Sequence, residues 1–591
     1  MADHPAIAAA RKLLSEGAAA KAIETLRFAL RRSPQDPELN YNSAGVLLQA
    51  GRPAEAEFFA ERAVTLLPSR GLYHGLLGEV YAHLAKFPQA EKCFVKAIAL
   101  DPKLYSSRQN LANIRLMAFD YEDAERLLRE AWALRPELVE APVNLANILV
   151  ETARAAEARR IAEACADQHA YHPFVIACLA NLLNYTHGVR REEVTAVHAR
   201  FGELMTQAVP PLPPPPNAKD PGRKLRVGFI SADFKQHSVA YFIEPVLRHL
   251  PRDRVQVVGL SRVFKADWMT PVLKSLCDEW IDLNLDTDRE VGLRIREARI
   301  DVAIELSGLT QGNSLGAMTL RPAPVQFSYL GYPNTTGIPA ISGRLVDSIT
   351  DPVSEPPLVP GETSYRIDPI FLCYRSASQI RGEPWPDEAP PREPGPLTFA
   401  SFNVISKFND AVADAWAKLL LAVPEAKLIL KARSLGGASV RQRILGAFSA
   451  RNVDPARIEL LAHIPSQEEH LALYRRVDVA IDPFPYVGTT TTCEALTMGV
   501  PVVTLHGSAH AGRVGASILS CVGLRDCIAR STDEYVRIAS TLIRDRERLT
   551  RLRRTLRADF ARSPLGDGPA MGERMERAIR AAWTAWCRTT S

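Results

Sequence analysis

No stretch of this chain reaches the ~18 consecutive apolar residues that a membrane-spanning helix needs, so no membrane insertion is expected. Nine cysteines among 591 residues (93, 165, 178, 277, 373, 493, 521, 527 and 587) form no CxxC pair and no His/Cys ligand spacing. That argues against both a disulfide framework and a zinc site. Excess charge is also scarce: the net charge is +5, both signs are scattered, and no basic stripe interleaves with aromatics. A nucleic-acid partner is therefore not expected. Met1-Ala2-Asp3-His4-Pro5 carries neither a basic n-region nor an apolar h-region. The expectation is a soluble, cytoplasmic protein with reduced thiols. At 65.1 kDa it is too large for one core and should divide into about three or four domains.

What the chain does have, first, is a repeat. Pro34, Pro68, Pro102 and Pro136 are spaced by 34, as are Ala22, Ala56, Ala90, Ala124 and Ala158, and Ala29, Ala63, Ala97 and Ala131. This is the tetratricopeptide period: small residues recur where paired helices cross, and each proline ends a second helix. A helical solenoid is predicted over 1–168, with a helical connector over 169–208. Asn42, Asn110 and Asn144 share one position on the first helices, and Asn113, Asn147 and Asn181 share another three residues on. Stacked amides there suit an extended polypeptide, each donating to and accepting from its backbone. The alternative is that they bond only to neighbouring helices.

Val209-Pro210-Pro211-Leu212-Pro213-Pro214-Pro215-Pro216 then predicts a stiff boundary spacer over 209–223, outside any core. Beyond it, apolar runs at 225–230, 255–260, 301–306 and 324–329 alternate with helical patterns, predicting an open α/β sheet over 224–383. A second series at 397–402, 426–431, 458–461, 477–481 and 501–505 predicts another over 384–565, and Met571–Trp586 reads as a last amphipathic helix within 566–591. Two such sheets in tandem leave a cleft, and ligands of such folds bind at the carboxyl ends of strands.

One of those ends is unusual. Asp482-Pro483-Phe484-Pro485-Tyr486-Val487-Gly488-Thr489-Thr490-Thr491-Thr492-Cys493-Glu494 places a glycine and four hydroxyls between a buried strand and a helical pattern. Backbone N–H groups, the positive end of a helix dipole and threonine hydroxyls would make a phosphate cradle there, and Glu494 on the first turn can accept from a ribose. Simple capping of the helix is the plainer alternative. A competing metal signal, Asp286-Thr287-Asp288, sits where acidic residues start a helix, so no metal is expected. The arginine run 544–557 reads as an exposed helix face.

Further residues carry a resemblance. Ser231-Ala232-Asp233-Phe234 with His237-Ser238-Val239-Ala240-Tyr241-Phe242, then Arg321-Pro322-Ala323-Pro324-Val325-Gln326, then Leu330-Gly331-Tyr332-Pro333-Asn334-Thr335-Thr336-Gly337, and the threonine turn are similar to the tetratricopeptide-armed protein O-glycosyltransferases. These are the O-GlcNAc transferases and the SPINDLY-type O-fucosyltransferases. The similarity spans about residues 224–565 and is greatest to the SPINDLY branch. It implies a GT-B fold of two Rossmann-like domains, inverting transfer from a nucleotide sugar to Ser or Thr, and no divalent metal. By the same resemblance Lys407 contacts the leaving phosphate together with Gly488, Thr489, Thr490 and Thr491, as developing charge must meet fixed donors. His470 stacks on the nucleobase, Glu494 holds the ribose, and Gly331, Tyr332 and Pro333 belong to the donor site. Val404 stands where the O-GlcNAc branch has a glutamine-like contact, and Thr489 where it has histidine, which favours a donor other than UDP-GlcNAc.

His237 is the leading base for the acceptor hydroxyl, with Asp233, Glu305 and a water-mediated route left open. His510 and Arg513 are expected to face the cleft as further phosphate donors. GDP-fucose, UDP-GlcNAc and a CMP-nonulosonate remain alternative donors. The Ala- and Arg-rich composition suits a GC-rich bacterial gene, for which flagellin is the leading acceptor. A different reading is a protein-binding scaffold with an inactive transferase domain.

Overall fold

The computed structural model describes residues 4–16 and 18–589. The chain forms two compact units, Met1–Ile148 and Leu149–Ser591.

The first unit is made of antiparallel helix pairs, and the 34-residue registers explain their geometry. Second helices end at Arg32, Leu66, Leu100 and Leu134, two residues before each periodic proline. Ala22, Ala56, Ala90 and Ala124 are each 0% exposed, because a larger side chain would hold the crossing helices apart. A fourth register appears only in three dimensions. Gly51, Ala85, Phe119 and Ala153 all adopt positive φ (70°, 57°, 60° and 62°) at the ends of first helices. The following N–H reaches back to close the turn, as in Arg52 N–H to Leu47 O at 2.9 Å and Lys86 N–H to Tyr81 O at 2.8 Å. Three of these four positions lack the glycine that tolerates this backbone, which hid the register from sequence reading.

In the second unit the helices Ala155–Gln168, Pro173–Leu183 and Arg191–Ala208 precede the sheets. The last helix of the arm predicted over 1–168 thus lies in this unit, and the connector helices predicted over 169–208 share a core with the first sheet: Ile176, Phe201 and Leu204 pack with Ile230, Val258 and Ile300. A Cβ on Gly202 would lie 1.7 Å from the Gly337 carbonyl oxygen, so backbone meets backbone there. The proline-rich stretch, expected as a stiff spacer outside any core, is tied down along its length. Leu212 N–H donates to Leu320 O at 2.9 Å and Asn217 Nδ2 to Asp301 Oδ1 at 2.7 Å, laying the segment along the first sheet domain.

That domain holds β1 (Leu225–Ser231), β2 (Val255–Ser261), β3 (Glu279–Asp282), β4 (Val302–Glu305), β5 (Val325–Ser328), β6 (Gly343–Val346) and β7 (Thr363–Arg366). They form one parallel sheet in the order β3-β2-β1-β4-β5-β6-β7. The next holds β8 (Thr398–Ser401), β9 (Lys427–Lys431), β10 (Ile458–Leu461), β11 (Val479–Ile481), β12 (Val502–Leu505) and β13 (Ile528–Ala529), parallel in the order β10-β9-β8-β11-β12-β13. Both are doubly wound, with the order reversing beside β1 and β8. Helix Gly568–Cys587 returns to the first sheet domain, where Trp583 Nε1 donates to Asp220 O at 2.9 Å and Arg254 pairs with Glu576 at 3.2 Å. This is the GT-B arrangement expected from the resemblance. Among the described residues no helix is long and apolar enough to cross a membrane.

The basic run 544–557 is not simply an exposed face. Helix Arg546–Arg562 turns Arg553 onto the Met498 and Val477 carbonyls, each at 2.6 Å, and Arg557 onto the Thr497 carbonyl at 2.6 Å.

Candidate active site

The loops that leave β1, β2, β4, β5, β8, β11 and β12 converge on one cleft of about 770 Å³. This follows from the topology: at each switch point neighbouring loops run to opposite faces and leave a crevice at the carboxyl edge.

The threonine turn forms its floor. Thr489 precedes helix Thr490–Thr497 but its side chain makes no capping bond, and the first helical bond is Cys493 N–H to Thr489 O at 3.0 Å. The orphan N–H groups of the first turn and the hydroxyls of Thr489 and Thr490 therefore remain for a ligand, and Thr489, Thr490 and Thr491 all line the cleft. Thr492 turns inward to Asp482 Oδ1 at 3.3 Å. Gly488 lies beneath the cradle rather than in it. A Cβ there would sit 2.5 Å from Thr492 Oγ1 and 2.6 Å from Asp482 Oδ1, so only glycine lets the turn close on Asp482.

Lys407 enters from the loop after β8. Its ammonium donates to Val487 O at 2.7 Å and Asn403 Oδ1 at 3.2 Å, and lies 4.0 Å from the centre of the Tyr486 ring. Burial pushes its pKa down to about 8, opposed by Asp482, whose carboxyl burial raises to about 6. Asn403 also accepts from Thr491 Oγ1 at 3.3 Å, joining lysine and cradle. Asn403, next to Val404, and Tyr486, within the threonine turn, were not among the site residues expected from the sequence. Val404 is 55% exposed on the cleft wall and offers no polar contact.

His470 and Glu494 are brought together, His470 Nε2 at 3.0 Å from Glu494 Oε2, with Gln467 Nε2 donating to Glu494 Oε1 at 3.2 Å. Both are buried, and Phe402 lies 5.8 Å from the His470 ring, while His470 Nδ1 is buried without a partner. Here histidine and carboxylate engage each other, and neither lines the main cleft.

On the opposite wall His237 caps helix Ser238–His249. Its Nδ1 accepts the Val239 N–H at 3.3 Å and lies 3.6 Å from Asp233 Oδ2. Burial lowers its pKa and favours the neutral ring, whose proton must then be on Nε2. Glu305 is a loop anchor rather than a cleft residue. Fully buried, it accepts from Gly308 N–H at 2.6 Å, Ser307 N–H at 3.0 Å and Ser314 N–H at 3.3 Å, and burial raises its pKa to about 7.

His510 lines the cleft with its Nδ1 2.5 Å from Asp351 Oδ2. Against the effect of its burial, Arg344 at 2.9 Å and His510 hold the Asp351 carboxyl far below the usual range. Arg513 does not face the cleft as expected. It forms a bidentate pair with Glu355 at 2.6 and 3.0 Å, because its long side chain ties the Gly507 and Ser508 carbonyls to the other domain. Tyr332 is likewise redirected. Gly331 and Pro333 line the cleft, but the intervening side chain alternates away, and its buried hydroxyl lies 2.8 Å from His198 Nε2 and 3.1 Å from Asn184 Nδ2. It locks the preceding helices to the sheet.

The Asp-x-Asp carboxylates are paired with arginine, Asp286 with Arg294 at 2.7 Å and Asp288 with Arg262 at 2.9 Å, and Thr287 forms a capping box with Glu290. Of the repeat asparagines, Asn113 and Asn147 are exposed. Asn42 is half-buried and accepts from Arg11 at 3.3 Å, Asn110 is half-buried and donates to Glu79 at 3.1 Å, and Asn144 and Asn181 are half-buried.

The model described as glycosyl transferase family 41 matches residues 159–365 and 393–573, and tetratricopeptide repeat models match 13–80, 73–104 and 115–170. A Petunia hybrida protein named probable UDP-N-acetylglucosamine–peptide N-acetylglucosaminyltransferase SPINDLY is 43% identical over 376 residues, 63% of this chain and 40% of its own length. Its Arabidopsis thaliana namesake is 38% identical over 411 residues, 69% of this chain and 44% of its own. The chain thus spans less than half the length of these curated relatives. A solved structure of a Thermobaculum terrenum O-GlcNAc transferase mutant superposes with a TM-score of 0.73 at 30% identity, covering 94% of this chain and 98% of that one.

Proposed function

Because the chain belongs to glycosyl transferase family 41, we propose that it transfers a sugar from a nucleotide-sugar donor to Ser or Thr hydroxyls of a protein acceptor, with inversion and without a divalent metal. The observation that carries this reading is the uncapped threonine turn with Lys407 beside it. Donors of fixed position await an anion there, and none is spent on the protein's own helix cap.

In this mechanism the acceptor oxygen attacks the anomeric carbon from the face opposite the phosphate. The bond from that carbon to the phosphate oxygen breaks, and the leaving nucleotide takes the electron pair. Growing charge on that oxygen is met by the first-turn N–H groups, the Thr489 and Thr490 hydroxyls and the Lys407 ammonium. The neutral His237 ring presents Nε2–H to the cleft, so it acts as a hydrogen-bond donor. Asp233, whose carboxylate lines the same wall, receives the acceptor proton. The role of His237 as base gives way because its Nδ1 lone pair caps a helix. His510, held through Nδ1 by Asp351, offers Nε2 to a donor hydroxyl or phosphate.

Glu494 and His470 would exchange their mutual bond for ribose and base. The helices carrying Asn113 and Asn147 would recruit the acceptor polypeptide. GDP-fucose is the favoured donor, from the likeness to the SPINDLY branch and from Thr489 standing where the O-GlcNAc branch has histidine, with UDP-GlcNAc and a CMP-nonulosonate as alternatives. Flagellin is the favoured acceptor, in the cytoplasm. Thermal-shift titration with UDP, GDP and CMP tests the donor reading. Binding of one nucleotide at a hundred times its dissociation constant should stabilise the chain by roughly 2.7 kcal/mol, and stabilisation by none would leave only a scaffold.

A further inference from the structure

A second cavity, of about 430 Å³, lies behind the second sheet domain. Asp478, which immediately precedes β11 and accepts the Thr398 N–H at 2.8 Å, is on its wall, so the cavity opens at the amino edge of the sheet, away from the cleft. Four arginines line it, Arg392, Arg546, Arg553 and Arg554, against only two carboxylates, Asp478 and Glu388. Arg392 is consumed by a bidentate pair with Asp478 at 2.7 and 2.8 Å. Arg546 keeps a single long contact to Asp478 at 3.4 Å, and among the described residues Arg554 has no ion pair. These two stand eight residues apart on helix Arg546–Arg562, two turns along one face, with the Thr550 hydroxyl between them. Arg553 at the base is spent on the Met498 and Val477 carbonyls, each at 2.6 Å, and brings no carboxylate with it.

We infer that this rear cavity is an anion site that takes a phosphorylated small molecule, held by Arg546 and Arg554, and that its occupancy weakens ligand binding at the threonine cradle. A concave site of this volume fits a small molecule better than a polypeptide, and the unspent guanidinium groups suit the forked geometry of phosphate. The link is the helix Thr490–Thr497. Its amino end forms the cradle, while its carboxyl end is gripped by Arg553 on Met498 O and Arg557 on Thr497 O. Cations at a helix carboxyl end reinforce the dipole that attracts an anion at the other. An anion seated beside Arg553 offsets that cation, and cradle affinity falls by about 2–5-fold. The coupling rests on the proposed donor site, whereas binding in the rear cavity does not.

Isothermal titration of inorganic pyrophosphate into the full chain, first saturated with the nucleoside diphosphate it binds best, tests the site. One pyrophosphate site should remain, lost in Arg546→Glu/Arg554→Glu and weakened but still present in Arg546→Lys/Arg554→Lys, which keeps the charge and loses the fork. Equal uptake by wild type and the Glu variant, or no uptake at all, would overturn the proposal. The nucleoside diphosphate should bind about 2–5-fold more weakly with pyrophosphate present, beyond the direct competition that the Glu variant reports. Equal weakening in both proteins would remove the coupling. If no nucleotide binds, the donor reading fails alone, and the unsaturated chain still reports the arginine-dependent site. Sedimentation with phosphatidylcholine vesicles containing phosphatidic acid should not depend on these arginines. Arginine-dependent sedimentation would assign a lipid headgroup and overturn the small-molecule reading.

Discussion

Raising the pH from 7 to 9 should silence Lys407 without loosening the fold around it. With a pKa of about 8, its charged fraction falls from about 0.9 to about 0.1 across that interval, a loss of roughly 1.4 kcal/mol in the interaction it offers the leaving phosphate. Because kcat/KM reports the free enzyme, it should fall about tenfold. A bound donor places negative charge beside the ammonium and raises its pKa, so kcat at saturating donor should hold to higher pH. The sign of the stability effect is opposite. The folded chain releases this proton near pH 8 and the unfolded chain keeps it to about 10.4, so this group's contribution to stability rises with pH between those values. Lys407→Met should lower the chemical rate by about 10²–10³, abolish the limb near pH 8 and leave the melting temperature unchanged or higher. Steady-state release of nucleotide between pH 6.5 and 9.5, beside thermal melts, measures all of this. A flat kcat/KM across the range, or a limb that persists in Lys407→Met, would refute the assignment.

Gly488→Ala should cost at least tenfold in nucleotide affinity by calorimetry, since its Cβ would press on Thr492 Oγ1 at 2.5 Å, while circular dichroism stays unchanged. Tyr332→Phe should destabilise by about 1–3 kcal/mol in urea melts, because the buried His198 loses its partner, and normal nucleotide binding would separate it from the donor site. Asn113→Ala with Asn147→Ala should weaken acceptor binding by about 1–3 kcal/mol if both exposed amides hold polypeptide backbone, with unchanged affinity returning them to a surface role. EDTA should leave the rate unchanged, and a loss restored by manganese would redirect attention to Asp286 and Asp288.

The architecture was legible where periodicity is strict. Alanines and prolines every 34 residues fix the helix crossings, and the apolar runs that became β1, β2, β4, β5, β8, β11 and β12 are almost wholly buried, with β9 and β10 partly so. The strands that escaped notice are short or sit at an edge: Glu279–Asp282 is half-exposed, and Gly343–Val346 opens on Gly-Arg, neither of which shows as an apolar run. Within the site, the threonine turn could be singled out from its glycine and hydroxyls behind a buried strand, whereas Lys407 came only from the family resemblance. The true bearings of Tyr332 and Arg513 were not readable, since a contact such as Tyr332 to His198 spans 134 residues and leaves no local signal. His237 shows the same limit. Its place at the cleft was readable, but which ring nitrogen is spent on the Val239 N–H depends on the helix start.

The central claim is tested most directly by mass spectrometry of Ser/Thr-containing protein or peptide acceptors, flagellin among them, incubated with the purified chain and GDP-fucose, UDP-GlcNAc or a CMP-nonulosonate in turn. One donor should give a single-sugar increment that β-elimination removes and Lys407→Met abolishes. No increment with any donor, or an increment undiminished in Lys407→Met, would contradict the account.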